Sequence, residues 1–158
     1  PGPCWLDIPL NVQAARIDPD KLKGFDPDEI VQPWKKPGLN LVAKEILEKI
    51  SSANRPVVLV GSGVRLSGAH EAFLGLVEKL GIPVVTAWNA HDTIWDDHPL
   101  YAGRPGTIGN RGGNFVTQNA DLLLILGSRL NIRQVSYNWP SFARKGNFVR
   151  KLVCAQLL

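Results

Sequence analysis

Two short aliphatic runs, Val57-Val-Leu-Val60 and Leu122-Leu-Leu-Ile-Leu126, each give way at once to a glycine corner. The first corner is Gly61-Ser62-Gly63 and the second is Gly127-Ser128-Arg129. A run of branched aliphatic residues without polar alternation cannot present one face to water, so it reads as a strand covered on both sides in a parallel sheet. Open sheets of this kind bind ligands outside the carboxyl ends of their strands. The two corners therefore predict a single crevice of nucleotide size.

The segments between the runs complete the pattern. Leu39, Val42, Ala43, Ile46 and Ile50 recur at helical spacing, with Asn40 as the expected N-cap and Ser51-Ser52-Ala53-Asn54 as the end. Ala69, Ala72, Phe73, Leu76, Val77 and Leu80 form a second apolar stripe that Gly81 closes. Ile82-Pro-Val-Val-Thr-Ala87 then reads as the next strand, giving a right-handed, parallel strand–helix–strand unit. A short helix is expected over Asn114 to Asn119, with Phe115, Val116 and Ala120 on its inner face, leading into the strand at Leu122. Tyr137 to Gly146 is ambiguous, and Asn147 to Leu158 reads as a final strand or a frayed tail. The predicted fold class is α/β, a Rossmann-like parallel sheet flanked by helices.

At 158 residues and 44% hydrophobic, the chain can bury one sizeable core. Its net charge of +4 is spread along the sequence rather than gathered in a basic run, which argues against nucleic acid as the partner. No apolar stretch approaches the ~20 residues that span a bilayer, and no signal-peptide pattern opens the chain, so a cytoplasmic protein is expected. Cys4 and Cys154 lie near opposite ends without metal-binding spacing and read as buried or incidental thiols in a reducing compartment. The chain contains no methionine and opens on Pro1-Gly-Pro-Cys-Trp-Leu-Asp-Ile-Pro9, which suggests a piece of something longer. Trp5 to Ile8 reads as the last strand of a preceding domain, over residues 1–12. A proline-bearing linker follows over 13–37, and the nucleotide-binding-like domain occupies 38–158.

Glycines at the first corner would let a ligand approach the main chain, and the amides opening the next helix would attract anionic oxygens. A structural tight turn explains Gly61 and Gly63 equally, because the spacing is not that of a dinucleotide fingerprint. After the second corner, Arg129, Asn131 and Arg133 supply two cations and an amide. An arginine there can pair with phosphate in two-pronged geometry, or close the loop by a salt bridge. His70 is placed on the polar side of a helix, and His91 and His98 in loops beside Asp92, Asp96 and Asp97, all three read as solvated rather than catalytic. No nucleophile elbow, Walker sequence, zinc-protease motif or paired glutamate set is present, so no catalytic residue is assigned.

In order and character these motifs resemble the central domain of thiamine-diphosphate-dependent enzymes of the acetolactate synthase type. The opening GPCWLDIPLNVQ resembles the end of the pyrimidine-binding domain in that family. It is followed by RPVVLVGSGVRLSGA, LGIPVVTAWNAHDTI, DHPLYAGRPGTIGN and NADLLLILGSRLNIRQ in the family's order. The resemblance runs from Pro1 to about Phe148. It implies a six-stranded sheet between the pyrimidine- and diphosphate-binding domains of a homo-oligomeric parent, which would bind thiamine diphosphate and Mg²⁺ outside these residues. It further implies FAD, another adenine nucleotide or CoA in the crevice. The implied contacts are Gly61, Ser62 and Gly63; Thr86, Ala87, Trp88 and Asn89; Gly106, Thr107, Ile108 and Gly109; and Gly127, Ser128, Arg129, Asn131 and Arg133. FAD-binding members carry Arg-Phe-Asp-Asp-Arg after the second corner, where this chain reads Arg129-Leu-Asn-Ile-Arg133 and lacks the aromatic and the acid pair. Its end, Lys151-Leu-Val-Cys-Ala-Gln-Leu-Leu158, also lacks the family's Asp-x-Asp element and suggests an altered or truncated terminus. Two other readings remain open: a free-standing nucleotide-binding domain of the sirtuin or electron-transfer-flavoprotein type, and an assembly scaffold with an empty crevice.

Overall fold

The computed structural model describes residues 3–29, 38–144 and 147–151, and the chain divides into two compact units, 1–35 and 36–158. In the first unit a short helix, α1 (Leu10–Gln13), precedes two single 3₁₀ turns at Pro19–Lys21 and Pro27–Glu29. Asp18 caps the first of these turns by accepting from the Asp20 amide. Trp5 to Ile8, expected as a strand, has no ladder partner among the described residues. Its side chains are exposed, so here the apolar character of Trp5, Leu6 and Ile8 does not signal burial. The later part of the expected linker, 30–37, lies outside the described residues.

The second unit is an α/β sandwich. Its elements in chain order are α2 (Leu39–Ser52), β1 (Pro56–Val60), α3 (Gly63–Leu66), α4 (His70–Leu80), β2 (Val84–Thr86), β3 (Tyr101–Gly103), α5 (Arg111–Asn119), β4 (Leu122–Leu126), α6 (Ile132–Val135) and β5 (Asn147–Lys151). The strands form one parallel sheet in the order β3-β2-β1-β4-β5. The described residues thus contain five strands, where the resemblance implied six. Asn147–Lys151, left open between strand and tail, is a strand on the β4 edge. Residues 152–158, and with them the expectation of an altered end and the thiol of Cys154, lie outside the described residues. Cys4 is exposed rather than buried.

Both faces of the sheet are covered, which is why β1 and β4 carry no polar alternation. Val58, Val60, Leu124 and Leu126 pack on one side against Phe73 and Val77 of α4, with Ile46 and Ile50 of α2 alongside. Val57, Leu59, Leu123 and Ile125 pack on the other against Ala120, Val135, Phe142 and Ala143. Each helix has an identifiable stop or start. Gly81 ends α4 in the left-handed region at φ +62°, as the sequence predicts. α2 begins instead at Gly38, with φ +86°, and Asn40 lies inside the helix. α5 starts three residues before its expected first residue, because the Asn110 side chain accepts from the Gly113 amide at 2.8 Å. Its buried residues are Gly113 and Thr117, whereas Phe115 is 68% exposed and faces away from the core.

Asp121 ties the start of β1 to the start of β4. Its two carboxylate oxygens accept from the Asn54 and Arg55 amides, both at 2.8 Å, and Arg55 Nε donates to the Asn119 carbonyl. Surrounding protein strips some solvent from this carboxylate and pushes its pKa up. The Arg55 and Asn54 amides and the Arg55 charge outweigh that and hold it below the ordinary 3.8. A carboxylate whose pKa is lower folded than unfolded stabilises above its unfolded pKa and loses that contribution as pH falls through the folded one. Asp121→Asn should therefore lower the thermal midpoint at pH 7, and the gap to wild type should close as pH drops below 3.8. A gap of equal size at pH 7 and at about pH 2.5 would show that the charge of Asp121 contributes nothing.

Candidate functional site

The strand order reverses direction at the β1/β4 pair, the topological switch point where crevices open in such sheets. Val60 is in register with Leu126, so the two glycine corners leave the sheet side by side. They interlock through the backbone: the Gly61 amide donates to the Leu126 carbonyl at 2.8 Å and the Gly63 amide to the Gly127 carbonyl at 2.9 Å. A Cβ on Gly61 would sit 2.7 Å from Ser128 Cα, and one on Gly63 would sit 2.8 Å from Gly127 Cα. Gly127 itself has φ +60°. The glycines are thus required by the close approach of one corner to the other. The Gly61, Gly63 and Val64 amides all donate within the protein, and the helix they open, α3, is a single turn of four residues.

A cleft of about 400 Å³ lies over these corners, within the size range of small-molecule sites. Gly61, Ser62, Gly63 and Leu66 form one wall, Ala87 and Asn89 after β2 a second, and Gly127, Ser128, Arg129 and Asn131 after β4 a third. Among the described residues Arg129 is the one charged residue in this lining, and no carboxylate joins it. Ser128 is buried, and its hydroxyl accepts from the Leu130 amide at 3.2 Å, in a turn where Leu130 takes φ +54°. Asn131 Oδ1 is buried in the loop with no hydrogen-bond partner among the described residues.

The other expected contacts are placed differently. Thr86 is fully buried at the end of β2, its hydroxyl without a partner among the described residues. Trp88 is 47% exposed and Ile108 59% exposed, and neither lines the cleft. Gly109 closes a turn by donating to the Gly106 carbonyl at 3.0 Å. The Arg133 carbonyl accepts from both the Thr107 amide and the Thr107 hydroxyl, so this arginine joins the two loops through its backbone.

Gly106 and Thr107 instead line a second pocket, of about 170 Å³, with Pro105, Asn114, Thr117, Gln118, Gln134, Val135, Ser136, Ser141 and Phe142. Sequence reasoning missed it. Two polar residues on the covered side of α5 and one at the end of α6 were its only signal, and they lie far apart in the chain.

None of the histidines lies in either pocket, but two are less solvated than expected. The His98 side chain is 11% exposed, its Nε2–H donating to Glu78 at 3.0 Å while Nδ1 accepts from the Leu100 amide at 3.2 Å. Its partner is thus a residue of α4 and not the adjacent aspartates. His70, 13% exposed, donates from Nε2 to the Thr93 carbonyl at 2.9 Å, so it joins the start of α4 to a loop. His91 is exposed, its Nδ1 lying 3.1 Å from the Trp88 carbonyl. Among the described residues no group of three or more His, Cys, Asp or Glu could hold a metal ion. No described helix is long and apolar enough to cross a membrane.

Residues 43–153 match the family model described as thiamine pyrophosphate enzyme, central domain. The chain is 35% identical over 157 residues to a probable acetolactate synthase large subunit of Methanococcus aeolicus, covering 94% of this chain and 25% of that protein. It is 37% identical over 136 residues to the acetolactate synthase large subunit of Corynebacterium glutamicum, covering 84% of this chain and 21% of the relative. A sulfoacetaldehyde acetyltransferase of Roseovarius nubinhibens is 40% identical over 130 residues, covering 82% and 21%. The chain therefore spans a quarter or less of these relatives' length, and the sirtuin, electron-transfer-flavoprotein and scaffold readings gain no support. With its parallel sheet, the paired corners at the switch point and the family match over most of its length, this chain belongs to the central-domain family of thiamine pyrophosphate enzymes.

Proposed function

We propose that this chain is the non-catalytic central domain of an acetolactate-synthase-like enzyme that acts on a 2-oxo acid by decarboxylation with carboligation or lysis. The supporting observation is the family match over 43–153 together with similarity to acetolactate synthase large subunits. In this reading residues 1–12 end the pyrimidine-binding domain, 13–37 are the linker and 38–158 the central domain. Thiamine diphosphate, which stabilises the carbanion formed on decarboxylation, and its Mg²⁺ belong to the neighbouring domains. The parent is a cytoplasmic homo-oligomer in this reading, without nucleic acid or membrane as a partner.

The cleft is assigned an adenine nucleotide, FAD among the candidates. Its residues fit the diphosphate half of such a molecule: Arg129 can take two phosphate oxygens, and Ser62 and Asn89 offer polar contacts at the opposite walls. They fit the ribose half poorly, because no described carboxylate lines the cleft to accept from sugar hydroxyls. The contacts assigned to Trp88, Gly106, Thr107, Ile108, Gly109 and Arg133 require a ligand that reaches beyond the cleft, and Thr86, which is fully buried, would be reached only if the wall beside it moved.

The function is tested by assaying CO₂ release from pyruvate and other 2-oxo acids with thiamine diphosphate and Mg²⁺. The full-length protein that carries this domain should turn over at least one of them, and the 158-residue chain alone none. Turnover by the chain alone, or none by the full-length protein, would overturn the assignment.

A further inference from the structure

The second pocket carries polar groups that the fold leaves unused. Thr117, 1% exposed, and Gln134, 4% exposed, line it together with Gln118. Thr117 Oγ1, Gln118 Oε1 and Gln134 Oε1 are all buried without a hydrogen-bond partner among the described residues. The other end of the Gln134 carboxamide makes only a long contact, 3.4 Å, to the Pro105 carbonyl. Leaving a buried polar group unpaired destabilises a fold, so three around one pocket are a burden that packing alone would not select. The neighbouring side chains are not starved of partners in the same way. Asn114 both accepts from the Gly106 amide at 3.0 Å and donates to its carbonyl at 3.2 Å, and the Thr107 hydroxyl donates to Arg133.

The lining also fixes the kind of molecule that would satisfy these groups. No described residue lining the pocket is charged, so an ionised ligand would be desolvated there without a counter-charge. A carboxamide side chain presents a donor and an acceptor side by side, and matches best the edge of another amide or of a nucleobase. The volume of about 170 Å³ suits one ring with a substituent, and Phe142 and Val135 supply apolar wall. We propose that this pocket is a second ligand site, selective for a small, uncharged, planar molecule with an amide or imide edge, which pairs with the Gln134 and Gln118 carboxamides and the Thr117 hydroxyl once a side-chain rotation turns their shielded polar atoms toward it. It shares no lining residue with the first cleft, so the proposal stands whatever that cleft holds.

Nicotinamide and uracil are suitable probes, and nicotinate is the charged analogue of nearly the same shape. Titrated into the full chain and followed by amide NMR shifts, nicotinamide or uracil should bind saturably, with a Kd of about a millimolar or below, and move the signals of Gly106, Thr107 and residues 114–118 and 134–136. Nicotinate should bind at least about tenfold more weakly. Gln134→Leu should weaken the preferred probe at least about tenfold, with Gln118→Leu as a second variant should the first not fold. Absence of saturable binding by both neutral probes up to about 20 mM would overturn the proposal. So would shifts located elsewhere, equal binding of nicotinate, or binding unchanged in the leucine variant. The same holds for a high-resolution structure, grown with the probe, in which only water occupies the pocket.

Discussion

Gly61→Ala should cost the domain about 3 kcal/mol or more of stability, while Gly75→Ala should gain about 0.5–1 kcal/mol. Both replacements add one methyl group to a glycine, and the difference lies wholly in what that methyl meets. At Gly61 it meets backbone: Ser128 Cα at 2.7 Å and the Gly127 carbonyl oxygen. No rotamer change relieves an overlap with main chain, so β1 and β4 would have to part at their carboxyl ends, where Val60 and Leu126 are paired and buried. At Gly75 nothing lies within 4 Å of the added atom, and the site is inside the α4 helix, where alanine loses less backbone entropy than glycine. Urea unfolding of the two variants beside wild type measures both effects. A Gly61→Ala midpoint within experimental error of wild type would show that the corners do not interlock as described. A destabilised Gly75→Ala would show that α4 is packed on that side.

The two corners were legible because each follows an aliphatic run too short for a helix and too apolar for an edge strand. The strands Val57 to Val60, Val84 to Thr86 and Leu122 to Leu126 are adjacent and parallel, as those runs and the intervening stripe imply. Local geometry was harder to read. Asn40 has the side chain of an N-cap, but Gly38 takes the capping position because only it enters the left-handed region at low cost. In α5 the glycines at 112 and 113 carry no hydrophobic signal, so the buried face through Gly113 and Thr117 was hidden and Phe115 was placed inward. Partners far apart in sequence escaped altogether. His98 finds Glu78 across 20 residues, and the second pocket joins residues from 105 to 142. The physical use of Gly61 and Gly63 also differs in emphasis. Sequence admitted either ligand approach or a tight turn, and the backbone contacts with Gly127 and Ser128 account for both glycines without a ligand.

That accounting shifts the weight of phosphate binding onto Arg129, whose replacement by alanine should weaken binding of ADP, FAD or CoA about ten- to a hundredfold. With the Gly61, Gly63 and Val64 amides already donating to protein carbonyls, the corner retains little of the main-chain anion cradle that a glycine-rich loop can offer. The cleft keeps hydroxyls and amides, but among the described residues Arg129 supplies its only positive charge. A charge-assisted bond to phosphate contributes about 1.5–3 kcal/mol, and no acidic residue of the described lining competes for the guanidinium. Binding by wild type should accordingly weaken as salt is raised, and binding by Arg129→Ala should be much less sensitive to salt. Arg133 serves as the contrast, since it joins the Thr107 loop through its carbonyl and its side chain is exposed outside the cleft lining. Arg133→Ala leaves that carbonyl in place and should change affinity less than about threefold. Calorimetric titration of the three ligands into wild type and both variants decides the matter. Affinity that is insensitive to Arg129→Ala and to salt, or that falls mainly with Arg133→Ala, would move the phosphate site away from the second corner.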